Sequence, residues 1–187
     1  MDKDFLKTYL TDFSELIKPQ ESVLEQLVEV KEALVEAHSK GNKGMIFGNG
    51  GSAAIASHFS VDLTKNASVR CINYNESDLI TCFSNDYGFE NWIAKAIEFY
   101  GDEGDVLIAI SSSGKSQNMI NATSAAKTKK FSKVITFSGF QEDNPLSKSG
   151  DINLWVDSKA YNFVENLHQV WLLAIVDLVI GDKEYSA

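Results

Sequence analysis

The chain has 187 residues, 44% hydrophobic and 23% charged, with a formal net charge of −9 and a pI near 4.8. That composition belongs to a globular protein with a sizeable core. The acid excess argues against a broad nucleic-acid surface, which needs clustered Lys and Arg, and any anionic ligand must be gripped locally by oriented N–H groups and hydroxyls. Residues 1–10 carry neither an apolar signal core nor a small-residue cleavage site. No run approaches the roughly 20 apolar residues of a membrane span. The expectation is a cytoplasmic protein with no membrane partner and no direct nucleic-acid binding. Cys71 and Cys82 are too far apart for a metal or redox motif and read as reduced, half-buried thiols. With two prolines and no low-complexity linker, residues 1–187 read as one domain.

In chain order, residues 4–17 predict a short helix with Phe5, Leu6, Tyr9, Leu10, Phe13 and Leu16 on one side, ended by Pro19. Ser22 and Glu25 look like a capping box. Val23, Leu27, Val30 and Leu34 then recur at helical spacing, and Gly41 is a plausible stop. Met45 to Phe47 make a short strand, followed by a glycine-rich turn and a helix from about Ser52 to Leu63. Residues 69–74 are a second strand. Residues 77–83 and 91–100 are helices on either side of "SNDYGF". The unbroken apolar run 105–110 is a central parallel strand. A helix over 116–130, strands at 133–139 and 152–156, and a last helix from about Asn162 to Ile180 complete the pattern. The alternation predicts an α/β fold: a doubly wound parallel sheet flanked by helices. The last helix is apolar nearly all round, so it is either central to the core or buried between subunits. With the helical segment 1–41, it points to a homo-oligomer.

Two loops leave strand ends where parallel-sheet proteins bind ligands. In "GNGGS" (48–52), the glycines let the backbone approach a ligand, and Ser52 opens a helix whose free N–H groups favour an anion. "SSSGKS" (111–116) opens another. Alone, the second loop reads equally well as a polar turn with Ser116 as N-cap. Together, the two can hold a monophosphate with hydroxyls from Ser111, Ser113 and Ser116 and no cation. "GNGGSA" also fits a relaxed dinucleotide fingerprint, but that leaves the second loop unexplained. "AISSSGKS" nearly fits a P-loop, but Ala109 stands where the first glycine belongs, and "KVITFSG" offers no carboxylate for magnesium.

"GNGGSAAIASHF", "SNDYGF" and "GDVLIAISSSGKSQN" resemble the sugar isomerase (SIS) domain family, and within it the phosphoheptose isomerases. The resemblance covers nearly the whole chain. It implies a flavodoxin-like fold, a homotetramer with sites shared between subunits, and phosphate held by Ser52, Ser111, Ser113 and Ser116. Asn49, Gly50, Gly51, Ser112 and Asp86 complete the implied sugar-phosphate set. The implied reaction moves a proton between C1 and C2 of a sugar phosphate through an enediol, with a base and a partner acid.

The proton-transfer set departs from the family pattern. The family's His and Glu on the helix after the glycine loop match His58 and Asp62, four residues apart on one face. The family's Gln and His on the last helix match Glu165 and Leu173, and leucine can neither transfer a proton nor bind a metal. Asp62 is therefore the expected base. Glu165 and His168 are candidates for the remaining proton-transfer role, with simple packing as the other reading of His168. His58, Asp62 and Glu165 are a candidate zinc set. Leu173 also keeps open an alternative: a non-catalytic, phosphosugar-binding tetramer that serves a protein partner, as relatives that bind a replication initiator do.

Overall fold

The computed structural model describes residues 1–185. Two helices, α1 (Asp2–Leu16) and α2 (Glu21–Ser39), precede the sheet. Strands β1 (Gly44–Phe47), β2 (Cys71–Ile72), β3 (Val106–Ser111), β4 (Lys133–Gly139) and β5 (Ile152–Val156) follow. They are interleaved with α3 (Gly51–Lys65), α4 (Ser77–Tyr87), α5 (Trp92–Tyr100), α6 (Gln117–Thr128) and α7 (Tyr161–Ile180). All strand pairs are parallel, in the order β2-β1-β3-β4-β5. That is the flavodoxin order, with its switch point between β1 and β3.

Alternation along the strands decides the layers. Ile46, Ile108, Ile110, Ile135 and Phe137 face α2, α3 and α7. Met45, Phe47, Leu107, Ala109 and Val134 face α5 and α6, with Leu79, Ile80 and Phe83 of α4 at the edge. All six residues of β3 are buried, so both faces of the central strand hold apolar side chains and the run has no polar alternation. Each such Ile or Leu stabilises the fold by about 1.5–3 kcal/mol.

Several boundaries differ from the sequence pattern. Helix α2 begins at Glu21 with Gln20 as N-cap and no side-chain cap, so Ser22 lies inside the first turn and the capping box does not form. The second strand shrinks to two residues because it is an edge strand paired only with β1. Helix α4 runs on through "SNDY" to Tyr87, and Gly88 at φ 85° ends it. Cys71 is buried, and burial pushes its thiol up to about 12. Cys82 is exposed, not half-buried.

By length and composition, α7 is long and apolar enough to cross a membrane, contrary to the expectation that no run approaches a membrane span. Here it serves as a core helix on one side. Val164, Leu167, His168, Leu172, Ile175 and Val176 are buried, while Val170 and Leu178 are exposed. Helix α1 rests on its first turns through Tyr9 and Phe13 against Phe163, with ring centroids 4.6 and 5.4 Å apart. No α1 residue is buried. Phe5, Leu6 and Leu10 stay largely exposed.

Candidate active site

β1 and β3 are neighbours, so the loops that leave their carboxyl ends lie side by side. A reciprocal amide pair ties them together. Asn49 Nδ2 donates to Asn118 Oδ1 at 3.0 Å, and Asn118 Nδ2 returns a bond to Asn49 Oδ1 at 2.8 Å. Asn118 is buried on α6, which makes it a fixed post for the first loop. Sequence reasoning missed it.

The two loops bound one cavity of about 160 Å³, lined by Asn49, Ser52, Ser111, Ser112, Ser113, Ser116, Tyr161 and Glu165. The cavity lies over the N-termini of α3 and α6, neither of which carries a side-chain cap. Ser116 does occupy the N-cap position of α6, but its hydroxyl turns to Ser111 Oγ at 2.9 Å instead of capping the helix. A plain polar turn would have spent that hydroxyl on the backbone. Two helix N-termini plus neighbouring hydroxyls make this cavity a candidate anion cradle.

The backbone of the cradle needs its glycines. Gly50 takes φ 56° as the residue before α3. A Cβ on Gly48 would fall 2.5 Å from the Ser52 carbonyl, and one on Gly51 would collide with the Glu165 carboxylate. Gly114, at φ 65°, sits tight against Asn144, whose amide donates to Ser138 Oγ at 3.0 Å and whose Oδ1 accepts from Ser147 N at 2.8 Å.

Of the residues expected here, Asn49, Ser52, Ser111, Ser112, Ser113, Ser116 and Glu165 are brought together, with Gly50 and Gly51 as the adjoining turn. Glu165 Oε1 accepts from Ser112 Oγ at 3.5 Å, the long end of a hydrogen bond. Asp86 does not join them. It lies exposed on α4, accepting from Asn85 Nδ2 at 2.9 Å.

His168 does not reach the cradle either. It is fully buried, with its ring edge-on to Phe137 at 5.5 Å, and its Nε2–H donates to the Ser138 carbonyl at 3.0 Å. Burial pushes its pKa down to about 4. It takes the packed role of the two read for it, and its Nδ1 has no partner among the described residues.

His58 and Asp62 lie farther down α3, with His58 Nε2 3.2 Å from Asp62 Oδ2. Gln169 of α7 meets the same ring at Nδ1, 3.2 Å away. Ten residues of helix separate Ser52 from Asp62, about 15 Å at 1.5 Å per residue. Within one protomer the candidate zinc set is therefore not brought together. Glu165 is turned to the cradle, both ring nitrogens of His58 are engaged, and Leu173 offers no donor. Among the described residues, no group of three or more His, Cys, Asp or Glu is placed to hold a metal ion.

A flavodoxin-ordered sheet with hydroxyl-bearing loops converging over its switch point defines a phosphosugar-binding α/β domain. The chain belongs to the SIS domain family, whose pattern matches residues 5–139. It is 32% identical to the phosphoheptose isomerase of Fusobacterium nucleatum, over 93% of this chain and 92% of the relative. It is 30% identical to that of Proteus mirabilis, over 98% and 100%. The solved structure of a phosphoheptose isomerase from Francisella tularensis superposes with a TM-score of 0.89 at 26% identity, covering 97% of this chain and all of that one.

Proposed function

We propose that this chain is an aldose–ketose isomerase of sugar phosphates, of the phosphoheptose isomerase type. The observation that carries the proposal is the cradle: two loops from adjacent strands, tied by Asn49 and Asn118, that bring five serines around one cavity. On a chain of net charge −9, such neutral donors grip a phosphate without a cation, and each charge-assisted bond contributes about 1.5–3 kcal/mol.

With phosphate fixed, the sugar carbons extend toward a base that takes the C1 proton of the ketose. The electron pair forms the C1=C2 enediol as the C2 oxygen accepts a proton. Return of a proton to C2, with loss of the O1 proton, gives the aldose. Asp62 is the base in this reading, and Glu165, already in the cradle, is the acid available to an oxygen of the sugar.

The span of about 15 Å between Ser52 and Asp62 along one helix exceeds the reach from a sugar's terminal phosphate to its C1–C2 end. The base therefore comes to each cradle from a neighbouring protomer, and the working unit is an oligomer, a tetramer as the resemblance implies. Val61, next to Asp62, and Phe5, Leu6 and Leu10 on α1 are exposed apolar side chains that such an assembly would cover.

The alternative, a non-catalytic binding tetramer, rests on Leu173 alone, whereas relatives named as isomerases match almost the whole chain. The deciding experiment follows loss of the C1 proton of sedoheptulose 7-phosphate in heavy water. Wild type should exchange it, and Asp62→Asn should stop exchange while ligand affinity persists. No exchange by wild type, with or without added zinc, would overturn the isomerase reading.

A further inference from the structure

The contact between Gln169 and His58 belongs to neither the cradle nor the metal set expected from sequence. Three side chains from two helices form a line: Asp62 Oδ2, His58 with its Nε2 3.2 Å from that oxygen, and Gln169 Nε2, 3.2 Å from His58 Nδ1. Their donors and acceptors admit one consistent assignment. An ionised carboxylate only accepts, so the proton between Asp62 and His58 sits on Nε2. The neutral ring then presents a lone pair at Nδ1, which is filled by the amide N–H of Gln169.

Two consequences follow. The carboxylate of Asp62, only a quarter exposed, is held on one oxygen by a fixed N–H, leaving the other free to take a carbon-bound proton. The lone pair through which a neutral imidazole would bind a metal is occupied by an amide donor instead. One turn on, Leu173 supplies no ligand to compete.

We propose that Gln169 is a positioning residue: it fixes His58 as the Nε2–H tautomer and so orients Asp62 as a base that works without a metal. Glutamine suits the task because its amide N–H donates to the Nδ1 lone pair. Glutamate could only accept, and alanine could do neither. The catalytic meaning rests on the proposed isomerase function, whereas the tautomer rests on geometry alone.

The test uses long-range nitrogen–proton NMR spectra of the ¹⁵N-labelled full chain. It has three histidines, and His58→Gln assigns the ring of interest. Wild type should show a pure Nε2–H tautomer at His58. Gln169→Ala should give a mixture, and Gln169→Glu, which offers only an acceptor there, should place a proton on Nδ1. In the isomerase assay, Gln169→Ala should lower kcat about 10- to 100-fold with little change in KM, as expected for a misplaced base.

A His58 tautomer unchanged in both variants would overturn the proposal, as would one-to-one binding of zinc alone to wild type that is lost in His58→Gln. A wild type that shows the tautomer but no exchange sinks the isomerase reading and leaves the positioning role standing.

Discussion

Replacing Glu165 with Gln removes the one carboxylate that lines the anion cradle while keeping its shape and one hydrogen-bonding oxygen. A cavity of about 160 Å³ leaves a bound phosphorus within roughly 5 Å of any lining oxygen. At that separation, two unit charges repel by about 3 kcal/mol at an effective dielectric of 20 and by about 1 kcal/mol in bulk water. The site is partly open, so a value nearer the lower figure applies. Glu165→Gln should therefore bind inorganic phosphate about fivefold more tightly, as read by calorimetry at fixed ionic strength, since salt screens part of the effect. Isomerisation should move the other way. If Glu165 supplies the proton to a sugar oxygen, kcat falls even as phosphate affinity rises. Equal or weaker phosphate binding in the variant would refute the placement of Glu165 against the anion. Tighter binding with undiminished kcat would assign it a purely electrostatic effect.

Two further outcomes follow from named contacts. Ser113→Ala removes a cradle hydroxyl, and loss of about 1.5–3 kcal/mol should weaken sugar-phosphate binding roughly 10- to 100-fold; an unchanged dissociation constant would refute the role of that loop. His168, whose pKa falls from 6.5 to about 4 on burial, ties stability to pH. The unfolded chain takes up its proton first as pH falls, so stability is intact above 6.5 and drains away toward 4, by up to about 3 kcal/mol. Urea midpoints across that window should drop for wild type and drop less for His168→Gln, which keeps a donor for the Ser138 carbonyl; identical slopes would remove His168 from the account.

Chain periodicity made most of the fold legible, because β3, β4 and β5 bury side chains on strict patterns and each helix has an apolar stripe. It failed at β2, where an edge strand with one partner has little burial to signal its length, and at α2, where tertiary packing starts the helix one residue ahead of its cap motif. The cradle was legible because its ingredients are local, glycine and serine at strand ends. The amide clasp of Asn49 with Asn118 and the contact of Gln169 with His58 span 69 and 111 positions. Such contacts leave no periodic trace, and each partner alone looks like an ordinary polar residue.

The two departures in the proton-transfer set act in one direction. Glu165, where the resemblance implies an amide, adds negative charge to the cradle, and Leu173, where it implies an imidazole, supplies no proton donor. Neither change tightens the grip on an anion, and the leucine removes a metal ligand. Both are tolerable if phosphate affinity comes from hydroxyls and helix N-termini, which are neutral and already numerous, and if Asp62 is oriented by hydrogen bonds from its own helix pair. A carboxyl group in the cradle then has a use that an amide lacks: when protonated it can transfer that proton to a sugar oxygen. The cost is repulsion of about 1 kcal/mol against the bound phosphate.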